Sequence, residues 1–256
     1  MSKFLSYEIK RSYRYLASMA IFALVFSIIT NFIFKIFKGT NLSLSLGFYL
    51  ILGVIFLINL VYFTYRYRKD LFSKSSYFTF SINLSTGKII LAKLLAGLIV
   101  SFLSLLVYVL FFARVSGISG FDRSKLLLSF GPYVFLSIMI YWLLAYVFLT
   151  IGVSLSRVKI FKKYYEFVTV LLSVVGLVLV MGLMRNIYRL SPTIVDIKDF
   201  SIRTLTRING IDFFMVYYDI NNRTLGINLW ILILASFLII FGYFINVYLV
   251  DEKIDL

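Results

Sequence analysis

The chain of 256 residues has no cysteine and no histidine, only two prolines, and 11 acidic residues against 26 basic ones. Without histidine there are no imidazole ligands for a zinc intramembrane hydrolase and no serine–histidine pair. Without cysteine there is no disulfide, no thiol redox chemistry and no thiolate ligand for haem or iron–sulfur groups. No Asp or Glu lies within any of the long uncharged runs of the chain. That argues against an aspartyl intramembrane protease, and it weakens proton-coupled transport, where an acid in the bilayer carries the proton. A glycine-rich phosphate cradle is missing too. Ser85-Thr86-Gly87-Lys88 ends in glycine and lysine but lacks the upstream glycine and the residue order of a P-loop. There is no pore-filter sequence and no duplicated half.

What the chain has is apolar length. Six runs carry no charged side chain: 15–34, 39–65, 94–113, 126–156, 167–184 and 224–250. They measure 18 to 31 residues. A helix rises about 1.5 Å per residue and the hydrocarbon core is about 30 Å thick, so roughly 20 residues cross it. Apolar residues make up 61% of the chain, and the mean hydropathy is +0.97. Soluble domains hold about 45–50% apolar residues. The expected fold is an all-α polytopic membrane protein with six transmembrane helices. The first run is too long for a signal peptide's apolar region and has no small-residue cleavage pattern after it, so it reads as a retained span.

The formal charge is +15. Topology accounts for it better than nucleic acid does, and no nucleic-acid partner is expected. With the N-terminus in the cytoplasm, 15 of the 26 basic residues fall on inner segments. Six of the others lie in one long outer loop, which counts little in orienting a protein. Both termini are therefore expected in the cytoplasm, with the excess base attracted to anionic lipid.

Residues 1–14 place Leu5, Ile9, Tyr13 and Leu16 at helical spacing, with Lys3, Lys10 and Arg14 elsewhere on the wheel. The segment reads either as an amphipathic helix in the inner interface or as a frayed basic leader. In the first span Ala20, Ala23, Ser27 and Asn31 share one face. Small residues let helices approach closely in lipid, so this stripe, with Asn59 in the second span, is a candidate protomer interface or pathway lining. Ordinary packing against a neighbouring span is the alternative, and Asn246 carries the same ambiguity. The inner loop 66–88 is basic and then aromatic. Phe72, Tyr77, Phe78 and Phe80 have no reason to sit on a solvated loop. Such residues either form an interfacial belt or dock into another protein. The outer loop, about 185–225, has Ser191-Pro192 as a helix start and Asn209-Gly210 as a stop, which predicts a helix over 192–208. The apolar stretch 211–218 is expected to lie on or dip into the outer leaflet.

The segments Asp70-Leu71-Phe72-Ser73-Lys74, Tyr77-Phe78-Thr79-Phe80 and Lys88-Ile89-Ile90-Leu91-Ala92-Lys93-Leu94-Leu95 resemble the permease subunits of type 2 ATP-binding cassette (ABC) exporters. That family often has an "lytf-x-LP-x-s" stretch between its second and third spans, then a lysine opening the third. Tyr77–Phe80 matches the first part and Lys93 the lysine, whereas Asn83 stands where the family usually has proline. The six-span layout with inner termini resembles the family along nearly the whole chain. The resemblance implies an interfacial segment over 1–14, then a permease domain over 15–256. It also implies that loop 66–88 is a coupling helix seated in a separate ATPase subunit, present in two copies. Phe72, Tyr77 and Phe78 would then be apolar anchors, and Arg68, Lys69 and Asp70 polar rim contacts. A second permease protomer, identical or related, would complete the path. ATP and Mg would be bound by the ATPase, with no cofactor, metal or catalysis in this chain. The cargo class would be a hydrophobic or amphipathic compound, such as a drug or antimicrobial peptide, exported across a bacterial cell membrane. The other hypothesis is a membrane sensor that does not transport and binds a ligand through its outer loop.

The chain lacks cysteine, so single introduced cysteines report topology directly. Asn209→Cys and Asp199→Cys should react with an impermeant maleimide from outside in intact cells, and Lys3→Cys only after permeabilisation. The reverse pattern inverts the topology.

Overall fold

Each of the first five uncharged runs forms the body of one helix in a computed structural model of the protein. The structure describes residues 1–36, 41–72, 84–115, 131–158, 165–190, 193–196, 201–204, 210–212, 216–219 and 224–253. It is mostly helical and divides into two units, Met1–Arg123 and Ser124–Leu256.

The first unit holds α1 (Ser2–Arg11), α2 (Tyr13–Ile36), α3 (Asn41–Phe72) and α4 (Thr86–Val115). Of the two readings of the N-terminus, the helix is the one observed. It ends at Ser12, where the chain bends by 47° into α2. Ser12 caps the break: its amide donates to the Ile9 carbonyl at 2.9 Å, and its hydroxyl donates to the Glu8 carbonyl at 3.0 Å. The hydroxyl thus serves a carbonyl that the interrupted helix leaves without its backbone donor. The face of α1 buried within the protein is Phe4 and Glu8, with Leu5 at its edge; Leu5 and Ile9 are half-buried. Phe4 packs on Ile89 and Ala92 of α4. Tyr13 is exposed.

α3 has two faces. Leu50, Val54, Leu57, Val61 and Tyr65 recur every three or four residues and are exposed, the pattern of a lipid-facing stripe. Leu52, Ile55, Asn59, Phe63, Arg66 and Asp70 are buried opposite. This inner face changes from apolar to ionic toward the end of the helix. α2 packs on α4 and α3, and α4 packs on α1.

The second unit holds α5 (Gly131–Arg157), α6 (Tyr165–Leu190), five strands and α7 (Leu229–Tyr248), which runs on into a π-helical turn over Leu249–Lys253. Its core joins Leu144 of α5, Val180 and Met184 of α6, and Ile231 and Ala235 of α7. α7 carries exposed Trp230 at its start and exposed Tyr248 at its end. These lie about 27 Å apart along the helix, close to the hydrocarbon thickness, as expected of interfacial aromatic anchors.

The segment after α6, expected outside, is not the expected helix. It is a five-stranded antiparallel sheet of β1 (Thr193–Asp196), β2 (Ile202–Thr204), β3 (Gly210–Asp212), β4 (Val216–Asp219) and β5 (Thr224–Asn228), in the order β2-β1-β5-β4-β3. β-Branched residues favour a pleated surface over a helix, and Thr193-Ile194-Val195 and Ile202 with Thr204 are such runs. Non-local pairing with β5 settled the choice. The stretch 211–218, expected on the outer leaflet, contributes β3 and β4 to the same sheet. Gly226 lies where Ile194 crosses from β1: a Cβ there would come within 2.6 Å of Ile194 Cδ1. The sixth uncharged run is thus split. Its first five residues are β5, and Asn228 caps the helix, its side chain accepting from the Ile231 amide at 3.1 Å.

Among the described residues four helices are long and apolar enough to cross a membrane: Leu50–Phe72, Thr86–Phe111, Phe135–Ser156 and Leu229–Glu252. The bent pair α1–α2 makes a fifth if it counts as one span.

α7 and α5 meet closely at Gly242, where a Cβ would lie 2.5 Å from Val147 Cγ1 and 3.3 Å from Ile151 Cδ1. Val147 is β-branched and fully buried, so it cannot swing aside. Gly242→Ala should cost about 1–3 kcal/mol of stability by overpacking, read as a lower midpoint for unfolding in detergent. Gly53→Ala, which meets nothing within 4 Å, should not.

Candidate functional site

Five charged residues converge where α1, α3 and α4 meet. Glu8 comes from α1, Arg66 and Asp70 from one face of α3 a turn apart, and Lys93 from the start of α4; Arg11 closes the outside. Arg66 Nη2 donates to Glu8 Oε2 at 2.5 Å and to the Glu8 carbonyl at 3.2 Å, and its Nη1 donates to the Ser12 hydroxyl. Lys93 Nζ bridges both acids, donating to Glu8 Oε1 at 3.1 Å and to Asp70 Oδ2. Arg11 Nη1 reaches Asp70 Oδ1 at 3.1 Å and Oδ2 at 3.3 Å. The Phe4 ring lies 5.8 Å from the Lys93 ammonium, within reach of a cation–π contact.

Glu8, Asp70, Arg66 and Lys93 are all buried, and their formal charges cancel. Taking one such ion out of water costs several kcal/mol, so the four are tolerable only together. Arg11 is one-third exposed. Burial pulls its pKa down, but Asp70 outweighs that by charge and hydrogen bond, and the pKa is raised above arginine's ordinary value. A raised base loses its stabilising contribution only as pH climbs through the folded value, so this pair is intact throughout the physiological range.

A second polar chain ties the same bundle together. The Tyr15 hydroxyl donates to Asn59 Oδ1 at 2.8 Å, Asn59 Nδ2 donates to Ser104 Oγ at 2.8 Å, and Ser104 donates to the Ser101 carbonyl at 2.9 Å. Tyr15 also stacks on Tyr62, centroids 3.7 Å apart. Hydrogen bonds between membrane helices contribute about 0.6–1.7 kcal/mol each.

The residues singled out from sequence are placed as follows. Asp70, expected on a polar rim, is instead buried, because its carboxylate is held between Arg11 and Lys93. Arg68 is half-buried over the Phe72 ring at 6.0 Å, and Lys69 is exposed. Phe72 is the half-buried last residue of α3, so 66–72 is helix and not loop. Tyr77 and Phe78 lie outside the described residues. Ala23 and Ser27 are buried within the chain, Ala20 partly so, and the Ser27 hydroxyl donates to the Ala23 carbonyl at 2.7 Å. At Ala23 and Ser27 that face of α2 is closed by the chain's own helices, as ordinary packing against a neighbouring span would have it. Asn59 belongs to the internal polar chain, and the Asn31 side chain lies outside the described residues. Asn246 accepts from the Ser154 hydroxyl at 2.6 Å, inside the second unit.

Sequence reasoning missed Glu8, Arg11 and Arg66 as members of a site. One signal was available. Glu8 and Asp70 are the only acids in the first 121 residues. An isolated acid among bases, four residues after the apolar Phe4, marks a position that needs a carboxylate inside. Comparison with protein-family models, curated proteins and solved structures found no match.

The cluster behaves chemically as a clamp. Both carboxylates and both buried bases are engaged with one another. Lys93→Met should remove the cation between the two carboxylates, leaving Glu8 to Arg66 alone and Asp70 to the part-exposed Arg11 alone, at a cost approaching that of a broken buried pair, about 3–5 kcal/mol. Asp70→Asn with Lys93→Met should cost less than the sum of the two single changes, with a coupling of about 1–3 kcal/mol. Simple additivity in detergent unfolding would mean the two groups do not touch.

Proposed function

We propose that the chain is the permease subunit of an ATP-driven exporter of the type 2 ABC class. It has six spans, both termini in the cytoplasm of a bacterial cell, and an energy source in a separate ATPase subunit. The observation that carries this reading is the pairing of Asp70 with Lys93. Asp70 lies at the end of α3 and Lys93 near the start of α4, the two helices that flank the segment 73–83. The stems on either side of the aromatic segment are therefore pinned to each other and, through Glu8, to α1. A force applied to that segment by a docked partner would pass into three helices as one body, where a loose loop would dissipate it. Tyr77 and Phe78 are the apolar anchors of the docked segment, Phe72 stands at its edge, and Arg68 and Lys69 remain as polar contacts. A second protomer, identical or related, completes the path for a hydrophobic or amphipathic cargo, and ATP with Mg belongs to the partner.

The outer sheet favours a second reading. Five paired strands form a more rigid platform than a surface helix, which suits a membrane protein that captures a ligand outside without transporting it.

Gentle detergent extraction separates the two readings. The exporter reading expects an ATPase subunit to co-purify, and Tyr77→Ala with Phe78→Ala to remove it while the chain stays folded. A chain that extracts alone, or a double variant that keeps the ATPase, turns the argument toward the sensor.

A further inference from the structure

We infer that the exposed face of α1 is a binding surface for anionic phospholipid headgroups of the inner leaflet. This does not depend on the transport reading. It starts from where the acids went. Glu8 and Asp70, the only acids in the first 121 residues, are buried and engaged with Arg66, Lys93 and Arg11. They cannot offset charge elsewhere on this end of the bundle. Lys3, Tyr7 and Lys10 recur at helical spacing along α1, all exposed, and Arg14 is exposed just beyond the bend. Lys88, also exposed, precedes Ile89, which packs against Phe4. The result is a stripe of one sign on a helix whose other face is buried.

Position decides the partner. α1 leads through the 47° bend into α2, whose uncharged run begins at Tyr15. The stripe therefore lies at the level where the apolar span begins. Tyr7 and Tyr13, 57% and 73% exposed, flank Lys10. Tyrosine prefers the interfacial zone, with its ring toward acyl chains and its hydroxyl toward headgroups. Lysine and arginine there gain from the anionic surface, about fivefold in affinity for each. An acidic protein surface would match the charge but has no need of tyrosines at the membrane boundary.

The test uses the purified full chain in neutral detergent, titrated with dansyl-labelled phosphatidylglycerol and with the same label on phosphatidylcholine. Energy transfer from the protein's aromatic residues reports binding. Phosphatidylglycerol should bind more tightly, and the preference should shrink as salt rises. The variant K3Q/K10Q/R14Q should lower phosphatidylglycerol affinity about a hundredfold. The charge-preserving K3R/K10R/R14K should keep it, which separates lost charge from a misfolded helix, and R185Q on α6 should leave it unchanged. Equal binding of the two lipids, or a preference that survives K3Q/K10Q/R14Q, overturns the inference. If that variant keeps its lipid preference and instead loses a co-purifying protein, the stripe belongs to that protein.

Discussion

A lysine ammonium held between two carboxylates from different helices is the constraint around which the first unit is arranged. Lys93 cannot be buried without Glu8 and Asp70, and neither acid can be buried without a base. Each charge therefore dictates where another helix must lie. α1 folds back until Glu8 reaches Arg66 and Lys93, and that placement coincides with the bend at Ser12. The Ser12 hydroxyl joins the cluster while mending the break, since it donates to the Glu8 carbonyl and accepts from Arg66. Apolar packing of Phe4 on Ile89 and Ala92 adds contact area, but it is non-directional. The ion pairs supply the register.

The second unit reaches its fit by other means. Where α5 and α7 touch, the contact is made by the absence of a side chain at Gly242 and by one buried hydrogen bond between Ser154 and Asn246. Lipid provides little hydrophobic drive between helices, so close approach and a few polar bonds carry the association. Asn228 serves two elements, ending β5 and capping α7. A shift in the sheet would disturb the start of that helix. On the other side, α7 presents Trp230, Phe237, Phe241 and Phe244, exposed as a lipid-facing surface requires.

Much of this was legible in the residues. The uncharged runs named the helices because a helix satisfies its own backbone in lipid, and length alone then suffices. The amphipathic character of 1–14 was visible as well, but not the face that packs inside the protein. Spacing of Leu5, Ile9 and Tyr13 marked an apolar side, and only the pairing of Glu8 with Arg66 showed which side packs on α3 and α4. The helix expected over 192–208 failed for a related reason. Local signals for a helix start at Ser191-Pro192 were sound, but β1 gains its stability from pairing with β5, which follows about 30 residues later, and β2 pairs in turn on β1. The small-residue stripe on α2 left interface, pathway and ordinary packing open, and only the neighbouring helices could show that Ala23 and Ser27 pack inside the chain.

The sequence by itself determined that the chain is apolar, mostly helical and long enough in several segments to cross a membrane. These properties follow from composition and run length, which do not depend on what any residue touches. It also set the scarcity of acids that makes Glu8 and Asp70 conspicuous. Tertiary structure alone decided that these two acids, 62 positions apart, would share one lysine. It alone decided that Asp70 would turn inward while Lys69 beside it stayed exposed, and that β5 would leave a run that reads as a span. Charge pairing and strand pairing are both relations between distant residues, and their energies exist only once the partners have met.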